Sequence, residues 1–201
     1  MTFRCSYRTP DDFDDLVMES DGEVLTGLWF EGGRDAAMRT SDSDGGIVAH
    51  YVRAFHDTRR WLDAYFSGQR PDFIPPHRVI GATPFRREVV REMLEIPYGA
   101  TTTYGEIASQ IARQRGVARM SAQAVGGAVA WNPICIIIPC HRVMGAHGAI
   151  TGYGGGIHNK AALLGLENKF TVSSCNRDGR RRDDDDGRKN RHAAALRRAE
   201  E

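Results

Sequence analysis

The stretch Asn132-Pro133-Ile134-Cys135-Ile136-Ile137-Ile138-Pro139-Cys140-His141-Arg142-Val143 joins the longest unbroken apolar run of the chain to a tight group of reactive side chains. The run from Ile134 to Ile138 falls far short of the roughly 20 residues that a bilayer span requires, so it reads as a short buried segment of a folded core. Pro139 ends it and delivers Cys140 next to His141, with Arg142 following. A buried cysteine alone is commonly an inert, small apolar residue. A nearby imidazole and a cationic setting, however, are what lower a thiol pKa and populate the thiolate nucleophile. Adjacent side chains of an extended chain point in opposite directions, so a working Cys140-His141 pair needs a turn or a bridging water here.

Three helix signals lie upstream. Thr83-Pro84 places a threonine cap before a proline at the first helical position, and Phe85, Val89, Met93 and Leu94 continue as an apolar stripe. Thr103-x-x-Glu106 is a capping box ahead of Ile107 and Ile111. After Arg115-Gly116, Ser121 caps a third helix running to about Trp131. Two short helices joined by a glycine-containing turn follow the loosely defined helix-turn-helix pattern. In the third helix, Ala122 to Ala128 (AQAVGGA) leave one face nearly bare, although each glycine costs roughly 0.5–1 kcal/mol of helix stability relative to alanine. Such a face either packs closely on protein or lets the backbone approach something large.

Downstream, Ile150-Thr151-Gly152-Tyr153-Gly154-Gly155-Gly156 reads as a loop that wraps closely around a ligand or a neighbouring backbone. A short helix ending in Leu163-Leu164-Gly165-Leu166-Glu167 follows. Glu167 is the only acidic residue between Glu106 and the tail, which makes it the natural group to orient His141; the alternative is a surface carboxylate at a helix end.

Further out, residues 1–76 read as a small α+β unit. Phe3 to Tyr7, Leu16 to Glu19 and Val24 to Phe30 are β-rich runs separated by turn residues, and Ile47 to Phe66 carries apolar residues at helical spacing. The proline-rich DFIPP segment before His77 is a linker candidate. Residues 171–201 are almost devoid of apolar side chains and run Arg180–Arg182 straight into Asp183–Asp186; such a segment cannot offset its ordering entropy and is expected to be a disordered tail, with a short helix near Ala193 to Arg198. The expected architecture is therefore α+β. A sheet-plus-helix unit over 1–76 precedes a mainly helical, helix-turn-helix catalytic unit over 77–170.

A hydrophobic share of 41% and a charged share of 26% are those of an ordinary soluble protein. The N-terminus has no signal-peptide core, so a cytoplasmic location is expected. The four cysteines form no CxxC pair, and Cys5 with His50, His56 or His77 makes no recognisable zinc spacing; reduced thiols and no metal are expected. The net charge of +1 is uneven: residues 1–76 hold eight basic and fourteen acidic groups, residues 77–170 ten and five. A basic middle segment permits a polyanionic partner, as does an unevenly charged solvated surface.

Taken together, IPYGATTTYGEIA, AVGGAV, NP, IPCHRV, TGYGGG and LLGLE over about residues 79–170 resemble the O6-alkylguanine-DNA alkyltransferase family, with looser similarity in YRTP and LTGLWFEG of the N-terminal unit. The resemblance implies that Cys140 accepts the alkyl group, that His141 is its water-linked base, and that Glu167 orients His141. It implies that Asn132 braces the turn and that Tyr104 donates to the departing guanine. Tyr153, Gly154, Gly155, Lys160 and Val143 would line the base pocket. Gln123, Ala124, Gly126 and Gly127 of the bare helix, with Arg142, would face DNA. The implied partner is duplex DNA carrying O6-alkylguanine, with O4-alkylthymine left open. No cofactor and no membrane are expected, and a monomer is the simpler form, with cooperative binding on DNA also open. Family members commonly carry an arginine where Gln123 stands, and Trp131 is bulkier than expected before Asn132. Two readings from other classes stay open at this stage: a Cys-His-Glu hydrolase or acyltransferase, which would turn over repeatedly and need an oxyanion hole, and a lesion-binding protein that does no chemistry.

Overall fold

The computed structural model describes residues 1–33 and 52–177. Its first half is an antiparallel sheet of β1 (Phe3–Tyr7), β2 (Leu16–Ser20) and β3 (Leu25–Phe30), in the order β1-β2-β3. Phe3 pairs with Ser20 and Tyr7 with Leu16, while Leu16 pairs with Phe30 across the second ladder. Leu16, Met18 and Ser20 alternate inward along β2, as a sheet with one covered face requires. All six residues of β3 are buried, so this strand is covered on both faces.

The covering comes from two directions. On one face lies α1 (Arg53–Phe66), whose buried Ala54, Phe55, Thr58, Trp61, Leu62 and Tyr65 recur at helical spacing. The free edge of β3 is taken by the second half of the chain: Leu28 N–H donates to Pro133 O at 2.9 Å, and Cys135 N–H donates to Leu28 O at 2.8 Å. Pro76 and Arg78 bracket Leu25 in the same way, at 2.9 and 2.8 Å. The proline-rich segment read as a linker is thus bonded to the start of β3. One apolar core extends from Tyr7, Leu16 and Phe30 through Val89 and Ile111 to Ile138 and Leu163, across residues 76 and 77.

Three helices carry the expected signals. Thr83 Oγ1 accepts the Arg86 N–H at the start of α2 (Pro84–Leu94). The reciprocal Thr103–Glu106 capping box opens α3 (Tyr104–Arg115), and Gly116 closes it at φ 65°. Ser121 caps α4 (Ala122–Ala130) through the Ala124 N–H. A short parallel pair, β4 (Thr102–Thr103) with β5 (Val143–Met144), brings the start of α3 beside the residues that follow Cys140-His141-Arg142.

The last described helix, α5 (Ile157–Arg177), begins within the expected short helix and continues seven residues into the segment read as a tail. The rest of that tail, its expected Ala193–Arg198 helix, and residues 47–51 of the expected N-terminal helix lie outside the described residues. Among the described residues, no helix is long and apolar enough to cross a membrane, and no cluster of three or more His, Cys, Asp or Glu is placed to hold a metal ion.

Candidate active site

Two tight turns convert the apolar run into a platform for Cys140. Ile137 N–H donates to Cys135 O at 2.7 Å across Ile136, whose φ of 66° lies in the left-handed region. A β-branched residue in that region costs about 1–3 kcal/mol and persists only where its surroundings over-determine it. Asn132 supplies that constraint. Its side-chain amide donates to Ile138 O at 2.9 Å and Ile134 O at 3.3 Å, while its Oδ1 accepts from Ile134 N–H at 3.1 Å. The same amide nitrogen stands 3.0 Å from Cys140 Sγ. Around Pro139, at φ −81° and ψ 59°, Cys140 N–H donates to Ile138 O at 2.8 Å, which is the geometry of an inverse γ-turn. A single 3-10 turn over Cys140–Arg142 follows. The change of direction that a Cys140-His141 pair needs is therefore built into the backbone.

Behind this turn, α5 presents Glu167, which is 1% exposed. A carboxylate this deep survives only when its oxygens are filled. Its Oε1 accepts from Tyr65 Oη at 2.7 Å, from Arg142 Nη2 at 2.8 Å and Nε at 3.2 Å, and lies 2.9 Å from His141 Nε2. Its Oε2 accepts from Arg142 Nε and from Gly99 N–H, both at 3.0 Å. Burial alone would raise the Glu167 pKa, but hydrogen bonds and charge from His141 and Arg142 outweigh it and hold the group far below the usual carboxylate range.

This arrangement fixes the tautomer of His141. An ionised carboxylate only accepts, so Nε2 carries the proton and Nδ1 is left with its lone pair. Nδ1 is buried and has no hydrogen-bond partner among the described residues. Burial pushes the His141 pKa down; Glu167 opposes the shift, and the charges of Arg142 and Lys160 reinforce it. Arg142 already neutralises much of the Glu167 charge, and the result is a neutral, oriented imidazole with a free acceptor nitrogen.

Lys160 is fully buried on α5 and donates to Val143 O at 2.6 Å and Thr151 O at 3.1 Å, tying β5 to the glycine-rich loop. Val143 itself packs in the core, with its carbonyl taken by Lys160. Burial lowers the Lys160 pKa, while the proximity of Cys140 works in the opposite direction. The Tyr153 hydroxyl is buried, and burial first, then the nearby Cys140, raise its pKa well above the usual value. Gly155 is demanded by packing: a Cβ there would fall 2.5 Å from the ring of Phe30 in β3 and 2.9 Å from that of Tyr153. Gly154 is placed against Gly33, whose own Cβ would meet Gly154 O at 2.7 Å.

The outer side of α4 is different in kind. Gln123, Ala124 and Gly127 are exposed and Gly126 is half-buried, whereas Val125, Ala128 and Val129 turn inward. A Cβ on Gly127 would meet nothing within 4 Å, so the fold itself does not require a glycine there. Tyr104 opens α3 half-buried, with its ring beside Gly126.

The chain that carries this braced thiol, oriented imidazole and bare capped helix is similar to known proteins. A family model described as the 6-O-methylguanine DNA methyltransferase DNA-binding domain matches residues 84–169. A methylated-DNA–protein-cysteine methyltransferase of Mycobacterium tuberculosis is 43% identical over 163 residues, covering 80% of this chain and 91% of its own. The chain belongs to the methylated-DNA–protein-cysteine methyltransferase family. A member from Haemophilus influenzae is 36% identical over 152 residues, covering 76% of this chain and 79% of its own. Among solved structures, that of Mycobacterium tuberculosis OGT in complex with DNA aligns with a TM-score of 0.67 at 38% identity, over 84% of this chain and 94% of the other.

Set beside the family pattern, one expectation is corrected. Arg142 does not face DNA: only 9% exposed, it directs Nε and Nη2 at Glu167 and donates from Nη1 to Ile96 O at 2.8 Å. A buried carboxylate without a cation would be costly, and this demand turns the guanidinium inward. Three contributors were not singled out from sequence: Tyr65, the Gly99 N–H, and Asn159, which is fully buried and joins Gly155 O at 2.6 Å to Asp14 Oδ2 at 2.9 Å. Tyr65 carried a usable signal, because a tyrosine on the buried face of a helix brings a hydroxyl that needs a partner.

Proposed function

We propose that this protein repairs DNA by direct reversal of damage, moving the alkyl group of O6-alkylguanine in duplex DNA irreversibly onto Cys140. The observation that carries this reading is the His141 imidazole, held by Glu167 through Nε2 with its Nδ1 left as a buried acceptor, in the residue next to a thiol braced by Asn132. In the reaction, His141 Nδ1 takes the Cys140 proton through a water. The thiolate sulfur then forms a bond to the alkyl carbon as the carbon–O6 bond breaks, and its electrons pass to the purine. Tyr104 donates to the ring, so that a neutral guanine leaves. The Lys160 ammonium adds positive charge near the sulfur.

A base inside a duplex cannot present its O6 to such a pocket, so the nucleotide must leave the stack at a cost of a few kcal/mol. The bare face of α4, with Gln123, Ala124, Gly126 and Gly127, suits close approach to the minor groove, where a bend can offset that cost. Tyr153, Gly154 and Gly155 form the wall that receives the base. Because a thioether has no easy route back to thiolate, each molecule acts once. The setting is wherever the DNA is, in the cytoplasm or nucleoid.

Intact mass after incubation with a short duplex containing O6-methylguanine tests this directly, with Cys140→Ser as the control. The expected result is a gain of one methyl group on the wild type alone, saturating at one equivalent. Binding without a mass change would refute the transfer, and repeated turnover would point to a hydrolase or acyltransferase.

A further inference from the structure

Of the groups bonded to Glu167, Tyr65 comes from the N-terminal half of the chain and has no part in the reaction as written above. Its position is tightly defined. The ring stacks on Trp61 at 5.2 Å and meets Phe66 and Tyr98 edge-on at 5.5 and 5.9 Å. Its hydroxyl donates to Glu167 Oε1 at 2.7 Å and stands 3.5 Å from His141 Nε2. Tyr65, Arg142 and His141 therefore share one carboxylate oxygen. Each donor that Oε1 accepts reduces the charge available to the others, and the partner most sensitive to that charge is the imidazole, because an imidazole can exist neutral or charged.

We propose that Tyr65 is a positioning residue for alkyl transfer: by donating to Glu167 Oε1 it limits how strongly that carboxylate holds a proton on His141, and so keeps Nδ1 available to accept from Cys140. The proposal rests on the reading of Cys140 and His141 given above. The phenol is no acid or base in its own right, since burial and then the negative charge of Glu167 raise its pKa well above the usual value. The other charged or titratable groups around the pair are Arg142 and Cys140 on the same turn, Lys160 on α5, and the hydroxyls of Tyr98 and Tyr153. None of these is altered by replacing Tyr65 with phenylalanine, which preserves the three ring contacts.

The test combines an NMR titration of the His141 imidazole in the full-length free protein with the pH dependence of single-turnover methyl transfer, for wild type and Tyr65→Phe. With one donor gone, Glu167 holds the imidazolium more strongly. The His141 midpoint and the acid limb of the rate profile are both expected to move up by roughly half a unit to one unit. On the acid limb, wherever it falls, transfer at a given pH then drops several-fold while the alkaline plateau stays within about twofold, since the base is neutral there in both proteins. A fluorotyrosine at position 65, a stronger donor, should move both readings the other way. An unmoved titration midpoint and acid limb in Tyr65→Phe, or a uniform loss of rate at every pH, would overturn the proposal, whatever happens to the melting temperature. If neither protein gains a methyl group, the transfer reading fails instead, and the His141 titration still decides the part played by Tyr65.

Discussion

The surroundings of Glu167 and the outer face of α4 stand in sharp contrast. Around Glu167, four residues from three parts of the chain, Tyr65, Gly99 and the adjacent His141 and Arg142, converge on two oxygens in a space closed to solvent. On α4, Ala124 and Gly127 offer almost no side chain at all, and the space beyond Gly127 is open. The first region commits every donor to one geometry, so that proton transfer can occur without reorganisation. The second commits nothing, leaving its backbone free to meet a large, smooth partner. On the function proposed above, chemistry belongs to a crowded interior and recognition to an empty surface, and substitutions in the two should therefore behave differently.

The largest effect is expected from Glu167→Ala. Arg142 would remain buried without its carboxylate, a loss of about 3–5 kcal/mol that a shift of the urea midpoint would reveal. The wild type should also lose stability on acidification. Below about pH 4.3, where an unfolded glutamate takes up a proton, the native Glu167 stays ionised, so the unfolded state binds the extra proton and stability falls as the pH falls. His141 adds to the same trend below about pH 6.5, because burial keeps its folded pKa low. Urea midpoints measured from pH 7 down to pH 4 would check both signs, and Glu167→Gln should flatten the lower part of the curve.

Gly127→Ala sharpens the comparison from the other side. An alanine in an exposed helix position should raise stability by up to about 1 kcal/mol, while its methyl group weakens binding to alkylated duplex. Calorimetry and a DNA titration on one sample would show the two effects with opposite signs. The smallest change is expected for Gln123→Arg. A cation at this exposed position should tighten binding and steepen the logarithmic salt dependence by about one counterion, and unchanged binding would show that Gln123 lies away from the DNA.

Much of this was legible in the sequence, for identifiable reasons. The caps at Thr83, Thr103 and Ser121 are local chemistry, so the starts of α2, α3 and α4 follow from a few residues each. The three strands of the sheet were readable to within a residue at their ends because alternation and turn residues are local too. What was not legible depends on long-range contacts. Arg142 groups with the DNA-facing residues on the family resemblance, and only the presence of Glu167 behind it, 25 residues away in sequence, turns it inward. Tyr65 reads as part of an apolar stripe, because nothing near it in sequence discloses a carboxylate 102 residues further on. The proline-rich stretch near Pro76 reads as a linker because its pairing with Leu25 is non-local as well.

The division between interior chemistry and surface recognition is tested most directly by single-turnover methyl transfer measured against DNA concentration, for wild type, Glu167→Gln and Gly127→Ala, at a temperature where all three are folded. Glu167→Gln should lower the limiting rate and leave the half-saturating DNA concentration in place. Gly127→Ala should raise the half-saturating concentration and leave the limiting rate in place. If both substitutions moved both quantities together, the separation drawn here between Glu167 and the bare face of α4 would be contradicted.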